Sequence, residues 1–189
     1  MILDEKIVRV LGDSHCVERR GVPKYLKQEF SKNATFKVIV DGMPGRELHQ
    51  REIEQIYQNA RVDKSSYQVL LLGGNNIRSG NDTVSSFRLK CHELCKKFIG
   101  LPSPRLVICG MIPSRNKSSE AIFKQADEEL KDVADGFLNV TFLNLAPYFM
   151  TENGIDKSLY SDKIHLKKKG SKILAGAIFN HISSWEKGT

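Results

Sequence analysis

Lys6-Ile7-Val8-Arg9-Val10-Leu11-Gly12-Asp13-Ser14 decides the fold. Its β-branched and apolar residues over 6–11 predict a strand, and the abrupt Gly12-Asp13-Ser14 predicts that this strand runs straight into a helix. The same pattern recurs down the chain. Residues 36–40 predict a second strand that ends in the glycine loop Asp41 to Gly45, and 67–72 a third that ends at Gly73-Gly74. A fourth strand is expected over 106–109, after a break at Pro102 to Pro104, and a fifth over 140–143. Helical spacing predicts helices over 17–30, 47–60, 82–99 with Asp82 at its start, 119–133 and 166–185. The stretch 146–161 is expected to be irregular.

Short apolar strands that lack strict in-out alternation and alternate with helices predict a parallel sheet covered on both faces. The expected fold is therefore α/β: a three-layer α/β/α sandwich around a five-stranded parallel sheet, of flavodoxin-like type. Ligands of such sheets sit beyond the carboxyl ends of the strands, and three glycine-containing segments directly follow a predicted strand. Neither a Gly-Lys-Ser/Thr nor a Gly-x-Gly-x-x-Gly loop follows the first strand, which argues against a nucleotide-binding domain.

The chain's 189 residues fit one domain, 1–189, with room for a sizeable core without metal or disulfides. With 40% hydrophobic and 27% charged residues it has the balance of a globular protein, and its apolar runs are too short to span a bilayer. The first eleven residues lack the apolar segment of a secretory signal. The four cysteines, Cys16, Cys91, Cys95 and Cys109, form no CxxC pair. Together these features predict an intracellular protein with reduced thiols. Cys91, His92 and Cys95 raise the question of a metal, but no fourth ligand is evident, so packing is the expected role and no cofactor is expected. The net charge of +7 favours an acidic partner, either nucleic acid or anionic lipid.

Four segments carry chemistry in combination. Ser14 supplies a hydroxyl, which attacks only with a base in reach. His165 and Asp162, three residues apart, can share one turn so that the carboxylate holds the imidazole while its other nitrogen faces Ser14. The backbone N–H groups of Ser14 and Gly45 and the Asn75 side-chain amide can donate to an oxyanion. Each has a plainer reading when taken alone. Asp13 or Ser14 caps a helix, Asp162 caps a turn, Gly45 and Asn75 serve turns, and a histidine beside Lys167, Lys168 and Lys169 is solvated. His15 can shape a pocket, whereas His49, His92 and His181 fall in predicted helices.

In combination and in this order, Gly12-Asp13-Ser14, Gly45, Gly73-Gly74-Asn75 and Asp162-Lys163-Ile164-His165 resemble the blocks of the SGNH hydrolases, the GDSL-type esterases and lipases. The resemblance covers almost the whole chain. It implies Ser14 as nucleophile and oxyanion donor, Gly45 and Asn75 as the other donors, and Asp162 and His165 as the remaining triad members. It also implies metal-free hydrolysis of carboxylic esters such as acetyl groups on sugars, phospholipids or small molecules. His15 departs from the leucine of the pattern, and Asn76 from a common aspartate. The Gly-Gly-Asn-Asn block is similar to that of the platelet-activating-factor acetylhydrolase branch. Its basic, compact character is similar to the esterase domain in first-open-reading-frame proteins of LINE retrotransposons, which implies a domain excised from a longer protein.

The expected function is a serine esterase acting on short-chain, acetyl-type esters, losing activity at acid pH as His165 takes up a proton. The rival is a binding module that keeps the hydrolase scaffold and uses its basic surface for RNA or anionic membrane.

Overall fold

The computed structural model describes residues 6–32, 36–62, 66–101 and 104–187. Five strands, β1 (Lys6–Gly12), β2 (Phe36–Gly42), β3 (Ser66–Leu71), β4 (Arg105–Cys109) and β5 (Val140–Leu143), form one sheet in the order β2-β1-β3-β4-β5. All four pairings are parallel. This is the doubly wound order in which the chain starts at an inner strand and moves outward both ways, leaving a crevice at the carboxyl ends of β1 and β3.

The continuous apolar runs arise because both faces are covered. Val8, Val10, Val69, Leu71, Val107 and Cys109 face a layer made by α1 (Val22–Phe30) and α7 (Lys168–Lys187). Leu11, Leu70, Leu72, Leu106 and Ile108 face the opposite layer, made by α2 (Gln50–Val62), α4 (Val84–Phe98) and α5 (Glu120–Asp135). Successive strand residues thus point to opposite cores, as the period of two requires.

The α/β architecture and the five parallel strands agree with the sequence expectation, but several boundaries do not. No helix runs from residue 17: two short 3-10 turns, Ser14–Cys16 and Glu18–Arg20, precede α1. Gly21 at φ +84° and the proline at position 23 explain the late start. Asp82 does not cap α4; Thr83 does, its hydroxyl accepting from Ser86 N–H at 3.1 Å. Residues 74–78, expected as a turn, form the short helix α3 (Gly74–Arg78). The stretch expected to be irregular holds α6 (Ala146–Phe149), a small hairpin of β6 (Met150–Thr151) and β7 (Gly154–Ile155), and a 3-10 turn, Lys157–Leu159. Pro102 and the first five residues lie outside the described residues.

The four cysteines are free and buried. Burial pushes the Cys95 thiol up to about 12 and those of Cys16, Cys91 and Cys109 well above their usual range, so all four are poor nucleophiles. Cys91 and Cys95 pack into the α4 side of the core, and His92 lies edge-on to Phe137.

Candidate active site

The site begins where β1 and β2 end together. Gly12 and Gly42 are paired in register, and the 3-10 turn Ser14–Cys16 lies across both. A Cβ on Gly42 would stand 2.1 Å from the Cys16 carbonyl oxygen, so only glycine lets the turn pack this closely. Asp13 caps the turn, its Oδ1 accepting from the His15 N–H at 2.9 Å. The plain reading of Asp13 as a cap and the position of half-buried Ser14 at the turn's start therefore hold together.

Asp162 likewise organises its own turn. Its Oδ1 accepts from the N–H groups of Ile164 at 2.8 Å and His165 at 2.7 Å, while Oδ2 lies 2.8 Å from His165 Nδ1. Burial works to raise the carboxyl, but the two backbone donors and then the imidazole outweigh it and hold Asp162 well below the usual carboxylate range. It stays an acceptor, which fixes the proton of His165 on Nδ1. His165 Nε2 then faces Ser14 Oγ at 3.2 Å.

The loop after β4 supports this turn. Lys163 C=O accepts from Arg115 N–H at 2.9 Å and Ser114 Oγ–H at 3.2 Å, and Tyr160 O–H donates to Pro113 C=O at 2.6 Å. Lys167 stands just before α7, and Lys167, Lys168 and Lys169 are all exposed. His49 lies one residue ahead of α2, while His92 and His181 sit on α4 and α7.

Met43-Pro44-Gly45-Arg46 forms a β-turn closed by Arg46 N–H to Met43 C=O at 3.2 Å, with Gly45 at φ +70° as its exposed third residue. Asn75, on α3, turns its Nδ2 toward Arg46 C=O at 3.1 Å and Asp13 Oδ2 at 3.5 Å, while Arg78 Nη1 donates to its Oδ1 at 3.3 Å. The Arg78 contact fixes which end of the amide faces Asp13. Among the described residues, no protein acceptor is recorded for the Ser14 or Gly45 N–H.

Three residues that sequence reasoning passed over lock these loops together. Asn76, fully buried, accepts from Leu48 N–H at 2.9 Å and donates to Leu48 C=O at 3.2 Å and Asp82 Oδ2 at 2.6 Å. Arg46 donates to Asp41 C=O at 2.8 Å and Asp41 Oδ1 at 3.0 Å, pinning the Gly45 turn to the end of β2. Tyr160 is the third. The doubled asparagine was the one visible signal, because a second polar amide beside a strand end needs its own partners.

Beside the turn bearing Ser14 lies a recess of about 20 Å³ lined by Asp13, His15, Gly74, Arg78 and Met111 among others. An apolar hollow of about 390 Å³, lined by Met111, Phe123, Phe142, Met150 and Ile155 with Asp127, shares Met111 with the recess; neither Ser14 nor His165 lines either of them.

The sequence profile of the GDSL-like lipase/acylhydrolase family matches residues 10–173. The chain belongs to that family. It is therefore a hydrolase, on the doubly wound sheet described above. Similar solved structures include a member of the lipolytic G-D-S-L family from Veillonella parvula, 15% identical, covering 93% of this chain and 97% of that one at a TM-score of 0.75. A carbohydrate esterase of family 3 from Talaromyces cellulolyticus is 14% identical over 97% of this chain and 99% of that one, TM-score 0.74. The psychrotrophic esterase EstA from a Pseudoalteromonas species, inhibited by monoethylphosphonate, is 15% identical over 97% and 100%, TM-score 0.72. At these identities they share the fold. No curated protein matches the chain. Among the described residues no helix is long and apolar enough to cross a membrane, and no cluster of His, Cys, Asp and Glu has the makings of a metal site.

Proposed function

We propose that this domain, taken as a single unit over 1–189, hydrolyses short-chain carboxylic esters through an acyl-enzyme on Ser14. The observation that carries the reading is the unbroken line from Asp162 through His165 to Ser14, at 2.8 and 3.2 Å. The Ser14 proton passes to His165 Nε2 as Oγ bonds to the ester carbon, and the Ser14 N–H, the Gly45 N–H and Asn75 Nδ2 receive the oxyanion. His165 then returns the proton to the departing alkoxide as the ester C–O bond breaks. Water repeats the sequence on the acyl-enzyme, releasing the acid and restoring the Ser14 hydroxyl. Each step uses groups of this chain.

Carboxylic esters are favoured because esterases stand among the proteins that share the fold. The test is covalent labelling with a fluorophosphonate, with the modified residue mapped, alongside hydrolysis of p-nitrophenyl acetate. Label on Ser14 and loss of turnover in a folded Ser14→Ala variant are expected. Full turnover in that variant, or label on another residue, ends the proposal.

A further inference from the structure

His15 is 4% exposed and lies directly after the proposed nucleophile. Its Nδ1 is 2.9 Å from Asp13 Oδ1 and its Nε2 is 3.2 Å from the Ile164 carbonyl oxygen. Both partners are acceptors. The ring is therefore gripped from both sides, and turning it over would give up both contacts. Although burial works to raise the Asp13 carboxyl, hydrogen bonds and charge from His15 and the charge of Arg78 hold it below its usual value.

The far end of the contact matters as much. Ile164 gives its C=O to His15 and its N–H to Asp162 Oδ1 at 2.8 Å, so one residue joins His15 to the turn that aims His165. The charged and titratable groups facing His15 are Asp13 on its own turn, Arg78 on α3, acting through Asp13, and His165, whose ring centroid is 5.8 Å away. We infer that His15 is a positioning residue: held at one ring nitrogen by Asp13 and at the other by the Ile164 carbonyl oxygen, it ties the turn bearing Ser14 to the loop bearing His165 and sets the separation of the two. The positioning role rests on the esterase reading; the tie between the two segments does not.

The first measurement is amide hydrogen exchange by NMR on the full chain. The Ile164 and His165 N–H groups should exchange at least about 10-fold faster in His15→Gln, which keeps a polar side chain but loses the rigid ring spanning the two partners, than in the wild type. Equal exchange in the folded variant overturns the tie. The second is turnover of that variant on p-nitrophenyl acetate, which should fall about 10-fold with KM changed less than about 2-fold, because the reacting groups lose alignment rather than the ester its site. Wild-type turnover in folded His15→Gln overturns the positioning role, and should that variant not fold, His15→Leu takes its place in both measurements. If the wild-type chain takes no fluorophosphonate at Ser14, the esterase reading falls and the positioning role with it, leaving hydrogen exchange to decide the tie.

Discussion

Two aspartate–histidine pairs lie side by side here with nearly equal Nδ1 to carboxylate distances, 2.9 Å for Asp13–His15 and 2.8 Å for Asp162–His165. Their surroundings differ. The side chains of His15 and Asp13 are 5% and 8% exposed, against 23% and 52% for His165 and Asp162. What separates them chemically is the second ring nitrogen: that of His15 meets a carbonyl, which can only accept, whereas that of His165 meets a hydroxyl, which can donate. A carboxylate beside an imidazole therefore does not by itself make a base. The atom opposite the carboxylate decides, and burial with a second acceptor turns the same pair into a clamp.

The sharpest way to break this comparison is His165→Ala. Turnover on p-nitrophenyl acetate should fall at least about 1000-fold, as when a triad member is lost, and far more than in His15→Gln. Equal losses would mean that the two rings do not differ in kind. Next in size is Asn75→Ala, whose side chain lies against Asp13 of the buried pair. A loss of about 100-fold in kcat with little change in KM is expected of an oxyanion donor. A loss under about 3-fold would mean that its contacts to Arg46 and Asp13 are its whole role.

A third carboxylate sharpens the comparison from outside the site. Asp127 on α5 is half-buried and accepts Met111 N–H at 2.7 Å, but no cation offsets its burial, which pushes it up to about 7. Asp13 is also buried yet moves the other way because His15 and Arg78 face it. Between the unfolded value near 3.8 and about 7, folded Asp127 keeps a proton that the unfolded chain has released, so its contribution to stability falls as pH rises through that window. Asp127→Asn should be more stable than the wild type by about 4 kcal/mol at pH 8, the gap closing toward pH 4. Urea unfolding at both pH values checks this; a gap independent of pH defeats it.

Much of the scaffold was legible because strands buried on two faces write themselves as apolar runs ending at glycine. Val69 to Leu72 is one such run, and its place in a parallel sheet covered on both faces could be inferred without knowing any contact, whereas the strand order could not. Asp162-x-x-His165 was legible for a local reason: a carboxylate that caps its own turn needs no distant residue to aim the ring. Asn76 was not. Its partners Leu48 and Asp82 come from two other segments, and a side chain satisfied by remote backbone leaves no periodic trace. The helix at Gly74–Arg78 was missed for the same cause, since it is held by burial of Ile77 rather than by propensity. His15 was noted as a pocket residue, and its grip on Ile164, 149 positions away, became visible only in three dimensions.

Ser14 and His165 stand 151 positions apart, and α7, which follows the imidazole, packs on α1, which follows the nucleophile. On the proposed mechanism, hydrolysis can therefore begin only after the chain has closed nearly its longest loop, the slowest kind of contact for a folding polypeptide to form. During refolding, the return of turnover would mark the meeting of these two distant segments, later than any signal from the β1–β2 pairing, whose partners lie only 30 positions apart.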